Sequence, residues 1–309
     1  MTLISGRCDE RLRHLVRWGA YPVLLGTTVV ICTLALVEQW PYQMTYGLTV
    51  LCLVAVLMTL ELLFPYRDEW RMTKRSLVRD LKYITAGSVT VGLVHALLGA
   101  VALALAEGHP GPLAQAPICV ALPLALLIFE GLTYTHHRLS HELPGAFGRF
   151  LWLTHVAHHL PDRVYVVMHA AFHPLNVIIT QGIIMLLPLA WLGVTPATTL
   201  TFNLLVGFHS IISHCNVDIR AGGLNYVLIS TELHRFHHSA DEREAKNYGV
   251  VLSLLDLAFG TFFYRPGTIP ARLGIAPPAA YPESNEFWRV LRLPFAGWTE
   301  VRGWAVASS

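Results

Sequence analysis

Polar positions in this chain are gathered into a few short stretches, and long apolar runs separate them. Runs long enough to span a bilayer occupy about residues 20–38, 45–65, 85–106, 115–134, 177–193 and 197–213. Only Gly193, Val194, Thr195 and Pro196 separate the last two, so these predict a tight helical hairpin. The expected fold is all-α: a polytopic membrane protein with about four transmembrane helices plus the hairpin. A histidine-rich helical cap on the cytoplasmic side completes it. Residues 1–84 read as N-terminal membrane helices with a basic loop, 85–265 as a catalytic domain, and 266–309 as a tail.

Composition supports a lipid-embedded chain. Hydrophobic residues make up 54% of the 309 and charged residues only 14%, where a soluble domain carries about a quarter charged. Mean hydropathy is +0.49. The 22 Lys and Arg all lie before the first run, in residues 66–83, in 135–165, or after 219. The positive-inside rule therefore predicts that the N-terminus, the basic 66–83 loop, the histidine segments and the C-terminus are cytoplasmic. The apolar stretch after Arg7, Arg11, Arg13 and Arg17 reads as a retained membrane helix, since it is long and lacks a small-residue cleavage site. A net charge of +2 gives no case for nucleic-acid binding. The five cysteines are scattered without a C-x-x-C and read as reduced, buried small hydrophobes. In the tail, Pro266, Pro270, Pro277, Pro278 and Pro282 break regular structure. Phe287, Trp288, Val290, Leu291, Leu293, Phe295 and Trp298, with Arg289 and Arg292, then suit an interfacial segment.

The chemistry sits in the polar stretches. The pattern His-x-x-His-His occurs twice, at His155, His158, His159 and at His234, His237, His238. A third cluster, His136, His137 and His141, lies just upstream. Positions i, i+3 and i+4 share a helix face, so each box is expected to point its imidazoles one way. So many imidazoles exceed what one ion needs, which favours two metal ions, although imidazole suits iron, zinc and copper alike. Glu130 lies near the end of an apolar run, where an unpaired carboxylate is costly; accepting a proton from a ligand imidazole would satisfy it. Asp256 and Asn247 have similar claims, and His214 beside Asn216 reads as functional. Tyr134, one turn from His137, reads as lining the site or as an interfacial aromatic. His169 and His173 fit a headgroup contact, an orienting role or a turn, and His209 a packed polar residue. His14, His95 and His109 read as unrelated.

Together these motifs resemble the fatty acid hydroxylase/sterol desaturase superfamily. The resemblance rests on E-x-x-x-Y-x-x-H-R-x-x-H from Glu130 to His141, L-T-H-V-A-H-H ending at His159, H-R-F-H-H-S from His234, and N-Y-G followed by D-x-x-F-G-T from Asn247 to Thr261. Phe172-His173-Pro174-Leu175 and His214-x-Asn216 also look like its intervening motifs. Leu255 and Ser213 stand where the family commonly has Trp and Gln. Over about residues 125–265, the resemblance implies a membrane-bound di-iron enzyme that uses O2 and two electrons to hydroxylate or desaturate a lipid, hydroxylation being favoured. It implies His137, His141, His155, His158, His159, His214, His234, His237 and His238 as metal ligands; His136 beside His137 leaves an alternative spacing open. Glu130, Asn216 and Asp256 are the candidate supporting residues. The implied cofactors are two Fe ions and O2. The implied partners are the membrane, a lipid substrate and a separate ferredoxin, rubredoxin or cytochrome-type electron donor, because the chain has no flavin, haem or cysteine-cluster motif. A histidine-rich membrane metal carrier or sensor, or a non-catalytic lipid-binding relative, is the alternative.

Overall fold

A computed structural model of the chain describes residues 2–107, 110–277 and 280–295. Expectations for His109, Pro278 and Trp298 fall outside these residues. Among the described residues the architecture is helical, without a strand. The helices that build it are α1 (Thr2–Val37), α2 (Tyr42–Leu63), α3 (Lys74–Ala106), α4 (Ile118–Glu142), α5 (Gly145–His159), α6 (Pro174–Leu192) and α7 (Pro196–Ile212). Shorter helices follow: α8 (Thr231–His237), α9 (Leu254–Ala258) and α10 (Phe287–Arg292). Five described helices are long and apolar enough to cross a membrane, ending with Pro174–Leu192; α7 is a shorter apolar helix. Leu48, Leu51, Leu62, Leu97 and Leu103 are exposed along the spans, as side chains facing lipid would be.

The inner faces form separate cores. Tyr21 of α1, Leu53 and Leu57 of α2 and Phe208 and Ile212 of α7 pack together with Cys215 and Val217. Ala121, Ala125 and Phe129 of α4 meet Ile184 of α6 and Phe202 of α7. Gly193 turns the chain between α6 and α7 with φ +66°, and an added Cβ would sit 1.9 Å from the Pro110 oxygen. Thr195 then caps α7 by accepting from Thr198 N, and Pro196 opens the helix where no N–H is needed. Residues 178–186 of α6 are wound as a π-helix.

The basic segment 66–83 is not a loop throughout. Its second half forms the start of α3, capped by reciprocal bonds between Thr73 and Ser76. Within it, Arg79 and Asp80 neutralise each other at 2.6 Å and are almost fully buried. Tyr165 joins them, accepting from Arg79 and donating to Asp80. In the tail, Phe287, Val290 and Leu293 pack on Leu153, Val156 and Ala157 of α5, while Trp288 and Phe295 stay exposed. The tail therefore roofs the helix that carries the first histidine box.

Candidate metal centre

Nine imidazoles meet where α4, α5, α7 and α8 converge, in two groups. His137, His141, His155, His159 and His237 form one, and His158, His214, His234 and His238 the other; within each, one ring nitrogen per residue lies within 4.8 Å of all the rest. These are the nine histidines that the motifs single out. His136 belongs to neither group. The boxes do not point one way. In each, the i and i+4 members join one group and the middle member joins the other. Box one gives His155 and His159 to the first group and His158 to the second. Box two gives His234 and His238 to the second and His237 to the first. Successive helical residues are about 100° apart. His158 and His159 therefore diverge, while residues four apart stay aligned.

The nitrogens within a group almost touch. In the first, Nε2 of His155 is 3.0 Å from Nε2 of both His137 and His159, and Nε2 of His237 is 3.1 Å from that of His159. In the second, Nε2 of His214 lies 3.0 Å from His158, 2.9 Å from His234 and 3.3 Å from His238. Backbone carbonyls decide the protonation of three rings. His137 Nδ1 meets the Tyr248 oxygen at 2.8 Å, His237 Nδ1 the Lys246 oxygen at 2.9 Å and His214 Nδ1 the Ser210 oxygen at 2.9 Å. A carbonyl only accepts, so each Nδ1 carries the proton and each Nε2 presents a lone pair. A cation among these nitrogens would be held by such lone pairs. Metal–nitrogen bonds of about 2.0–2.1 Å place neighbouring ligand nitrogens about 3 Å apart. The buried Nε2 of His141 has no hydrogen-bond partner either. The residues present therefore fit a metal at each group.

Burial adds to this. Withdrawal from water, then the neighbouring imidazoles, hold His155, His158, His159, His214, His234 and His237 well below the usual imidazole range. His238 is pushed down to about 3, again mainly by burial. All seven are neutral near pH 7, the state a metal ligand requires. Phe172 stacks on His158 with ring centres 4.2 Å apart and shields that side. Over the first group lies a cavity of about 350 Å³, where His141, His159 and His237 meet Glu142, Lys246 and Tyr248.

A sequence model of the fatty acid hydroxylase family matches residues 122–261, which hold all nine histidines. An ornithine lipid hydroxylase, OlsE of Rhizobium tropici, is 29% identical over 240 residues, covering 74% of this chain and 70% of the relative. Both comparisons support the fatty acid hydroxylase superfamily for the region 122–261. No solved structure matches it significantly.

The family region also contains the polar supports, which act through backbone rather than through imidazoles. Glu130, fully buried, accepts from Val250 N at 2.6 Å and Val251 N at 3.1 Å; the expected bond to a ligand imidazole is not made. Asp256 accepts from Tyr248 N, Gly249 N and the Thr261 hydroxyl. Burial raises its pKa against these bonds. The two carboxylates grip one loop, whose Tyr248 carbonyl holds His137. Tyr134 donates to the Thr261 hydroxyl at 2.8 Å, at the edge of this same loop system. Asn247, at φ +62°, bonds Leu233 O and both backbone groups of Phe263. Asn216 bonds the Arg67 backbone in both directions, away from the rings. His209 bonds Ile229 O, His169 bonds Val166 O and His173 bonds Leu291 O, and none of the three belongs to either group. Asn176 was not singled out by the motifs, yet its amide nitrogen lies 3.5 Å from His155 Nδ1.

Gly249 lets the two carboxylates close on the loop. A Cβ there would lie 2.3 Å from Leu252 O and 3.0 Å from both Asp256 Oδ2 and Glu130 Oε1. Gly249→Ala is expected to cost about 1–3 kcal/mol by overpacking and to loosen the His137 support. Thermal unfolding in detergent together with metal content checks this; an unchanged melting point and full loading would contradict it.

Proposed function

We propose that this protein is a membrane-embedded, O2-dependent lipid hydroxylase whose nine grouped histidines hold two iron ions. The observation that carries the proposal is the two sets of converging nitrogens, with carbonyls fixing the proton of His137, His214 and His237 on the far side of the ring. Iron at the two groups would supply the redox chemistry for oxidising an unactivated C–H bond with O2. The net reaction takes a C–H group, O2, two electrons and two protons to an alcohol and water. A separate ferredoxin, rubredoxin or cytochrome-type protein would deliver the electrons.

The residues of the chain perform the remaining tasks. The carbonyls of Tyr248, Lys246 and Ser210 keep their rings from turning or gaining a second proton. Glu130 and Asp256 hold the loop that contributes the Tyr248 carbonyl. The relative named above hydroxylates an ornithine lipid, so a polar lipid with an amino-acid headgroup is the proposed substrate class. The charge distribution favours a cytoplasmic location for the site and both termini.

The test is elemental analysis of the detergent-purified protein grown with iron and handled without oxygen, paired with lipid mass spectrometry of the expressing host. Expected are about two irons per chain and a host lipid heavier by one oxygen atom, absent from a vector control. One zinc per chain, or no metal, with an unchanged lipid profile would favour the carrier or binding-protein alternative instead.

A further inference from the structure

Glu61 is a carboxylate near the end of a membrane-spanning helix, and no motif of the histidine boxes includes it. Its Oε1 accepts two backbone N–H groups, from Asn216 at 2.7 Å and from Val166 at 2.8 Å. Cys215 and Asn216 directly follow His214, which lies 2.9–3.3 Å from all three other imidazoles of the four-histidine group. Val166 opens the 3-10 turn Val166–Ala170, which ends two residues before Phe172, the ring stacked on His158. One oxygen thus ties together the two segments that border this group outside its boxes.

The surrounding contacts continue the same tie. Tyr66 N donates to Asn216 O at 2.9 Å, and Asn216 clasps the Arg67 backbone. Arg235, between His234 and His237 in sequence, donates to Cys215 O at 2.9 Å and also to Val217 O. Its guanidinium lies over the Tyr66 ring at 4.7 Å. The end of α2 therefore reaches the second box through the loop that Glu61 pins. Glu130 does the corresponding job for the five-histidine group, by way of Val250 and Val251.

We infer that Glu61 is a positioning residue for the four-histidine metal site, holding His214 by fixing the backbone of residues 215–216. This rests on the two-ion reading above. Geometry sets the requirement: one acceptor oxygen for two N–H groups, not a negative charge. Gln keeps that oxygen at the same reach, Ala removes it, and Asp withdraws it by one methylene.

The experiment is anaerobic titration of the full-length apo-protein in detergent with ferrous iron alone, reading stoichiometry and affinity. Wild type is expected to take up two equivalents. Glu61→Ala should weaken one of them by about 10–100-fold, as loss of a ligand's outer support does, with the other unchanged. Glu61→Gln should keep both. The weakened equivalent should be the one lost in His158→Ala, so E61A combined with H158A should bind no less than H158A alone. If E61A does not insert, Glu61→Asp takes its place with the same expectation. Two equivalents of wild-type affinity in the Ala or Asp variant would overturn the inference, as would equal weakening of both or failure of Gln to rescue. Wild type taking up one equivalent or none would instead overturn the two-ion reading itself.

Discussion

His158→Ala should empty one metal site, lower hydroxylation by more than about 100-fold, and leave membrane insertion intact. Loss of an outer partner of a ligand typically costs 10–100-fold, and His158 is placed to be a ligand itself. Its Nε2 is 3.0 Å from that of His214, and the four-histidine group has no spare imidazole. The ring is 2% exposed and packed under Phe172, so truncation opens a hole at the site without touching a lipid-facing side chain. The crossed arrangement makes a sharper demand. His158→Ala and His234→Ala come from different boxes but the same group, so their double variant should lose the same single ion as either alone. His158→Ala with His155→Ala come from one box but different groups, and should lose both. Metal analysis of the four proteins decides it. Two ions retained in His158→Ala would remove that residue from the ligand set, and loss following the boxes would refute the crossing.

That crossing marks where sequence reading ran out. The apolar runs give the membrane helices almost directly, because a span must be apolar around its whole circumference wherever lipid touches it. The nine histidines are equally plain, since their spacing within short polar stretches has no packing explanation. Their division is not. A face shared by i, i+3 and i+4 is 100° wide, and two sites lying side by side can split it; only the approach of α8 to α5 decides how. The start of α3 misleads for another reason: Arg79 looks solvated until Asp80 and Tyr165 are seen to satisfy it inside the fold. Glu61 and Glu130 show a third limit. Each is visible as a carboxylate in an apolar run, but its partners are main-chain N–H groups, which every residue carries and no sequence pattern flags. The same holds for the carbonyls of Ser210, Lys246 and Tyr248 that fix three of the rings.

Glu130→Ala is expected to destabilise the protein and to weaken metal binding at the five-histidine group, in that causal order. Glu130 is 0% exposed and sits within a membrane span, so water cannot replace what it provides. Removing it leaves the N–H groups of Val250 and Val251 unpaired, and each buried unsatisfied donor costs about 1–3 kcal/mol. The loop cannot simply relax toward Asp256, which already receives Tyr248 N, Gly249 N and the Thr261 hydroxyl. A shift of residues 249–251 carries Tyr248 with it and lengthens the 2.8 Å bond that holds His137. The ring then gains freedom to rotate, and affinity at that group should fall by about 10–100-fold while the four-histidine group keeps its ion. Glu130→Gln keeps an acceptor oxygen for the same donors and should be much milder in both respects. Thermal unfolding in detergent and ferrous-iron stoichiometry, measured on both variants, separate the two effects. An Ala variant that melts like wild type and holds two ions would show that the loop stands without this carboxylate. Equal damage from Gln would show that its charge, rather than its place as an acceptor, is what the fold requires.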